Sequence, residues 1–335
     1  MKSYVGIDVH QDKCHATVQD EDGTLVKQGE LVNSPSGFED FFDGVDDAKV
    51  AIEAGDAWQP VYDWLDEEGF DVKLAHPYKT RIIAEVKIKT DCRDSEALAD
   101  LVRANLIPEV YVPCDERREL RSIVKHRGKL VMERTKYKNR IRAELRKRGI
   151  GTEGVSLWAK SGASWLRELG ISQVIDFLEV IGTLNGRILK LEKEIKEIAG
   201  DMKEARILMT IQGVSYYSAL TIIAEIVTVE RFPNSEKLCS YAGLVPSVKQ
   251  SGTKVVHGQI RGGRPLLRWI LIQSAWNHVN NANSHITRFY KRLERKKPKQ
   301  LAIIATARKL LKTIYWMLKL EEPFYPEGYD PRKSR

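Results

Sequence analysis

Three strand-like runs stand in succession near the start of the chain, YVGIDV, KCHATVQD and TLVKQGELV, with no helical segment between them. Their β-branched and aromatic residues fall in the alternating pattern of half-buried strands. The order then changes. SGFEDFFDGV reads as a short helix capped by Ser34 or Ser36, and KVAIEA as a fourth strand. WQPVYDWLDEEG reads as a helix closed by Gly69, FDVKLAHP as a fifth strand, and KTDCRDSEALADLV as the start of another helix. This is the order of the ribonuclease-H-like α/β fold, and its spacing leaves little room for another common α/β topology.

The first strand carries a carboxylate, Asp8. An unpaired carboxylate within a sheet costs on the order of several kcal/mol, so it faces water, accepts hydrogen bonds or binds a cation. An edge-strand aspartate would satisfy the pattern on its own. Three further acids bear on the choice. Glu53 ends the fourth strand, which this fold places beside the first, and Asp91 and Asp94 share one face of a helix's first turn. Each has a plainer explanation: Glu53 as a solvated strand end equivalent to Asp56, and Asp91 and Asp94 as an N-cap and an acid favoured by the helix dipole. Together those explanations require several coincidences in one fold, and a metal site requires none. Four carboxylates suit a hard divalent cation, Mg²⁺ or Mn²⁺, and such ions serve phosphodiester chemistry.

Charge is segregated along the chain. Residues 1–100 hold 10 Lys+Arg against 23 Asp+Glu, a net of −13, whereas residues 101–335 hold 44 against 23, a net of +21. An acidic module joined to one that binds a polyanion fits this division. The stretch 117–149 concentrates it, with 14 Lys+Arg against three Glu. Leu120, Ile123, Val124, Leu130, Val131, Ile141 and Leu145 recur there at helical spacing, giving an amphipathic helix whose cationic face includes Arg140, Arg142, Arg146 and Lys147. A merely solvated helix usually mixes both signs.

From Val174 to Ile198, apolar residues recur every three or four positions with interleaved Glu and Lys, the pattern of a coiled coil or of a long helix packed within one domain. The length favours a dimerising or spacing helix. Gly213, between two apolar runs, suggests a helix-hairpin-helix turn that offers backbone N–H groups to phosphate. The glycine-rich stretch that follows holds Ser247, Lys249, Ser251, Lys254, Arg261, Arg264 and Arg268, and enters a helix at Pro265. The cysteines Cys14, Cys92, Cys114 and Cys239 form no CxxC pair, which argues against a zinc site or disulfide framework and fits a reducing cytoplasm. No apolar run approaches the ~20 residues that span a bilayer, and the N-terminus lacks a signal-peptide pattern.

GIDVH, AIEAGD and KTDCRDSEALA together resemble the DEDD motif of the RuvC-like domain in insertion-sequence transposases of the one-ten family. GLVPSVKQSG followed by IRGGRPLLR is similar to the family's C-terminal transposase motif, with Arg261 where the family usually has lysine. The resemblance implies that Asp8, Glu53, Asp91 and Asp94 hold metal, and that Ser251 is the nucleophile, with Ser247 as the lesser alternative. It also implies dimerisation through the helical segment, with a tetramer of two dimers as the alternative assembly, and a non-coding bridge RNA pairing with donor and target DNA. The corresponding domains are a RuvC-like catalytic domain at 1–112, a basic helix and coiled coil at 113–200, a mainly α transposase domain at 201–325 and a basic tail at 326–335. On this reading Ser251 attacks a DNA phosphodiester to give a phosphoserine and a free 3′-hydroxyl. Two rivals remain: a metal-dependent junction resolvase using water, which needs only the acids, and a nucleic-acid scaffold with a vestigial acidic cluster.

Overall fold

The three opening runs form an antiparallel meander: β1 (Ser3–Val9) pairs with β2 (Lys13–Gln19), and β2 with β3 (Leu25–Val32). The arrangement comes from a computed structural model that describes residues 2–84, 90–246, 248–251, 254–258 and 262–328, with backbone alone for 84, 248–251 and 254–257. Helix α1 (Pro35–Phe42) begins at Ser34, whose hydroxyl accepts from Gly37 N at 3.2 Å. Strand β4 (Ala48–Glu53) runs parallel to β1, and β5 (Asp71–Ala75), after α2 (Trp58–Glu67), runs parallel to β4. Two helices follow, α3 (Pro77–Ala84) and α4 (Asp91–Arg103). The sheet order is β3-β2-β1-β4-β5, with the meander on one side of β1 and the parallel pair on the other. Helix α3 was not expected from sequence; its eight residues make little more than two turns, short of the roughly 11–18-residue window over which a helical period shows.

The two faces of this sheet divide by strand alternation. Val5, Ile7, Val50 and Ile52 point to the face packed with Phe38, Phe41, Phe42, Val61 and Leu65. On the opposite face Ala51 and Ala75 cluster with Leu98 and Val102 of α4, and with partly buried Tyr4. Burying this many β-branched and aromatic side chains contributes about 1.5–3 kcal/mol each.

Residues 1–112 form one compact unit and residues 113–335 another. In the second, α5 (Asp115–Lys147) and α7 (Ser172–Asp201) lie antiparallel, with α6 (Lys160–Glu168) between them in sequence. The pairing is read from cross-helix contacts: Arg127 with Glu192, Arg134 with Asn185, and Tyr137 against Phe177. Leu120 and Val124 join Ile195 and Ala199 in one core, while Ile141 and Leu145 join Val174, Leu178 and Ile181 in another. The heptad stripe of α7 thus packs against α5 of the same chain in an intrachain helical hairpin, the within-domain packing that the sequence left open beside a dimerising or spacing helix. The first of these cores also runs past residue 200, so 113–200 and 201–325 share one compact unit.

The larger core surrounds α9 (Tyr216–Ile226), whose residues from Tyr217 to Ile226 are all buried, as a helix apolar on every face requires. Around it pack α8 (Lys203–Met209), α10 (Ser235–Tyr241), α11 (Pro265–Asn281), α12 (His285–Glu294) and α13 (Lys299–Leu320). The expected turn at Gly213 has φ 97°, and a Cβ there would lie 2.8 Å from His278 N, so one side of it is pressed against α11. Between α10 and α11, the expected loop contains a short antiparallel hairpin, β6 (Val248–Ser251) and β7 (Lys254–His257). Among the described residues, no helix is long and apolar enough to cross a membrane.

Candidate functional site

Parallel pairing puts the first two carboxylates side by side. Ile7 pairs with Ile52, so Asp8 and Glu53 follow at the next position of adjacent strands, on the face that carries α4. Helix α4 brings the other two. Its N-cap is Thr90, whose hydroxyl accepts from Arg93 N at 3.3 Å, so Asp91 opens the helix rather than capping it. Asp8, Glu53, Asp91 and Asp94 line one open cleft with His10, Gln11, Gly55, Asp56 and Thr90.

The start of α4 is fixed against the sheet by shape and by hydrogen bonds. A Cβ on Gly6 would lie 2.0 Å from Ser95 O and 2.4 Å from Ala99 N, so glycine is what lets the helix backbone approach β1. Buried Ser95 donates its hydroxyl to Cys92 O at 2.9 Å. A hydroxyl has one proton, so Thr17 Oγ1 at 2.8 Å and His15 Nδ1 at 2.9 Å both donate to Ser95 Oγ. Thr17 in turn accepts from Gln28 Nε2 at 2.8 Å. These contacts tie the first turn of α4 to β2 and β3 and hold Asp91 and Asp94 beside the strand ends.

His10, just after β1, was not singled out from the sequence. Its Nε2 lies 3.2 Å from Asp8 Oδ2 and 3.5 Å from Asp91 Oδ1, and ligand atoms of the three residues lie within 4.8 Å of one another. Asp8 is mostly shielded, with its side chain 17% exposed, whereas His10 and Asp91 open to solvent. Hard carboxylate oxygens with one imidazole at the mouth of a solvent-reached cleft fit a divalent cation that keeps some of its water. A lone histidine after a strand has no spacing partner to mark it, so only the fold reveals this placement.

In the second unit, the expected cationic side chains Arg140, Arg142, Arg146 and Lys147 are all exposed along the last turns of α5. The Arg140 guanidinium stacks 4.7 Å over Tyr137, and that of Arg142 lies 5.2 Å over Trp158. Ser251 is the last residue of β6 and pairs with Lys254, which puts it at the turn of the hairpin; Lys249 lies on the same strand. Ser247 and Arg261 lie outside the described residues. Arg264 and Arg268 close the hairpin's root: Arg264 N donates to Tyr241 O at 3.1 Å and Arg268 Nη1 to Gly262 O at 3.0 Å. Burial pushes the thiols of Cys14 and Cys239 up to about 11, so they stay protonated and unsuited to nucleophilic work.

Two family models match the chain. One, for the DEDD domain of IS110 elements and described as Transposase, matches residues 5–148, and one described as Transposase IS116/IS110/IS902 family matches residues 205–291. The chain is 26% identical over 248 residues to the transposase for insertion sequence element IS1111A of Coxiella burnetii, covering 70% of this chain and 68% of the relative. It is 27% identical over 312 residues to a probable family 20 transposase of Pseudomonas aeruginosa, covering 86% and 89%. With the pilin gene-inverting protein of Moraxella bovis the identity is 26% over 341 residues, 96% of this chain and 98% of that protein. The acids of β1, β4 and α4 all fall inside the first matched segment and the serine hairpin inside the second; the chain belongs to the IS110 family of transposases, enzymes of DNA strand transfer.

Proposed function

We propose that this transposase cuts and rejoins DNA through a covalent intermediate on Ser251, assisted by a divalent cation held by Asp8, Glu53, Asp91 and Asp94. The observation that carries the reading is the gathering of those four acids around one cleft. The sheet order, with one antiparallel wing and one parallel wing about β1, supports a ribonuclease-H-like domain of the RuvC type. A bound Mg²⁺ or Mn²⁺ would supply Lewis-acid stabilisation of charge on the phosphoryl group. The protein's own part is positioning: the packing of Gly6 against α4 and the Ser95 hydrogen bonds hold the carboxylates together before substrate arrives.

In the chemical step the Ser251 oxygen forms a bond to phosphorus and the bond to the 3′ oxygen breaks; the serine proton is balanced by the one the leaving oxygen gains. Rejoining is the same exchange in reverse, so strand breakage conserves a phosphoester throughout. The exposed cations of α5 and the excess positive charge after residue 100 support backbone contact with DNA and with a guiding non-coding RNA. The family resemblance extends the reading to a dimer, and to a tetramer formed from two dimers, acting in the cytoplasm on DNA of the nucleoid.

The test is covalent trapping. After denaturation, DNA incubated with the wild-type protein should carry an adduct that Ser251→Ala abolishes, that Ser247→Ala keeps, and that mass spectrometry places on Ser251. Free ends with no adduct, cut at undiminished rate by Ser251→Ala, would assign the nucleophile to water and the protein to resolvase-type chemistry. Sequencing RNA that co-purifies with the protein checks the guide.

A further inference from the structure

Glu225 is a buried carboxylate in the second unit, its side chain 3% exposed near the end of α9. Cations surround it. Arg264 Nε lies 3.2 Å from its Oε2 and donates to Tyr241 Oη at 2.8 Å, while that hydroxyl donates to Glu225 O at 3.1 Å. Arg121 Nε donates to Ala224 O at 3.0 Å. Arg231 stacks its guanidinium 4.5 Å over Phe232 and 4.6 Å over Tyr241. Lys125, one helical turn beyond Arg121 on α5, is within electrostatic reach of Glu225, Arg121 and Arg264.

Part of this arrangement is structural. Val227, with φ 65° and ψ −68°, ends α9 abruptly, and Arg121 and Tyr241 satisfy carbonyls that the broken helix leaves over. The charges do not balance, however. One carboxylate and a helix C-terminus of roughly half a unit charge face three cations, Arg121, Lys125 and Arg264. Burial lowers the pKa of both Arg121 and Lys125, with Glu225 opposing that shift and neighbouring cations adding to it. Gathering partly desolvated positive charge is unfavourable unless an anion completes the set.

The place of the cluster says which anion. Tyr241 and Arg264 stand on either side of the chain segment that forms the β6–β7 hairpin, and their contacts join its two ends. Gly243 and Gly263 approach so closely that a Cβ on Gly263 would lie 2.5 Å from Gly243 Cα, which fixes that root. We propose that Arg121, Lys125 and Arg264 form a cradle for a backbone phosphodiester at the root of the serine hairpin, with Glu225 and Tyr241 as positioning residues that orient Arg264. The planar fork of arginine suits such a group, and Lys125 adds a point charge. The proposal deepens the reading of the hairpin as the strand-transfer element: it assigns the group that anchors the strand beside it.

Fluorescence anisotropy of the full chain with a short duplex DNA, and separately with a single-stranded RNA of equal length, across a salt series tests it. Lys125→Gln and Arg264→Gln should each reduce the log–log salt slope by about 0.7–0.9, the value of one lost phosphate contact. Arg264→Lys, which keeps the charge, should restore much of the slope. Lys125 is exposed on α5, so its variant keeps the fold and serves if Arg264→Gln unfolds. A drop with DNA places a DNA phosphate in the cradle; a drop with RNA alone assigns it to RNA. Unchanged slopes with both probes in folded Lys125→Gln overturn the proposal. Adduct formation by the wild-type chain is scored separately, so failure of the cradle and failure of the serine mechanism give different results.

Discussion

Gly6 shows at the scale of one residue how little of a site is written in its reactive groups. Asp8, Glu53, Asp91 and Asp94 could be singled out from the sequence as candidate metal ligands because carboxylates in strand and helix-start contexts stand out against their surroundings, and the fold brings them to one cleft. The glycine that lets α4 approach could not be named, because nothing in YVGIDV says which backbone crosses it. Nor could His10, whose partners Asp8 and Asp91 are distant or differently placed in sequence. Gly6→Ala should therefore separate the acids without touching one. Its Cβ meets helix backbone, which cannot rotate aside, so the substitution should cost about 1–3 kcal/mol and abolish cleavage. Gly29→Ala, on β3 where a Cβ meets nothing within 4 Å, is the matched control and should leave both unchanged. Thermal unfolding and a strand-cleavage assay on the two variants check this; normal cleavage by Gly6→Ala would mean that the close approach does not position the site.

At the scale of elements, legibility follows the strength of local periodicity. The strands of the first unit were readable because alternation over five to eight residues has no helical equivalent, and α2 was readable because Gly69 (φ 84°) closes it. Two elements were not: α3, too short to show a period, and the β6–β7 hairpin, whose four-residue strands are bordered by glycines that resemble a loop. The α7 stripe was visible, but its partner was not, since heptads specify a covered face and leave open what covers it. With α5 in that role, the seam belongs to the folding of one chain. Ile195→Ala should lower stability by about 2–5 kcal/mol, because the side chain is 1% exposed in the shared core. The shift in melting temperature should not depend on protein concentration. If dilution instead deepens the defect, the stripe is serving an intermolecular contact.

For the whole molecule, the decisive feature is that charge and chemistry are divided along the chain. The acidic N-terminal hundred residues contain the four carboxylates and most of the chain's excess negative charge, while the +21 beyond them is spread over α5 and the helical unit that carries Ser251. On the proposed mechanism, polyanion affinity and metal-assisted cleavage draw on different residues. Neutralising phosphates releases counterions, so binding should weaken steeply as salt rises. On that mechanism, removing divalent cations takes away the charge that lets a phosphodiester approach four carboxylates. Chelation by EDTA, or Asp8→Ala combined with Glu53→Ala and Asp94→Ala, should eliminate strand cleavage while leaving DNA affinity and its salt slope within about a factor of two of wild type, since the carboxylates themselves contribute no phosphate contacts. Titrating Mg²⁺ or Mn²⁺ back should restore cleavage to the chelated wild type and not to the triple variant. Cleavage that persists in EDTA would remove the metal from the mechanism, and DNA binding that collapses with it would mean that the cation, rather than the basic surface, holds the substrate.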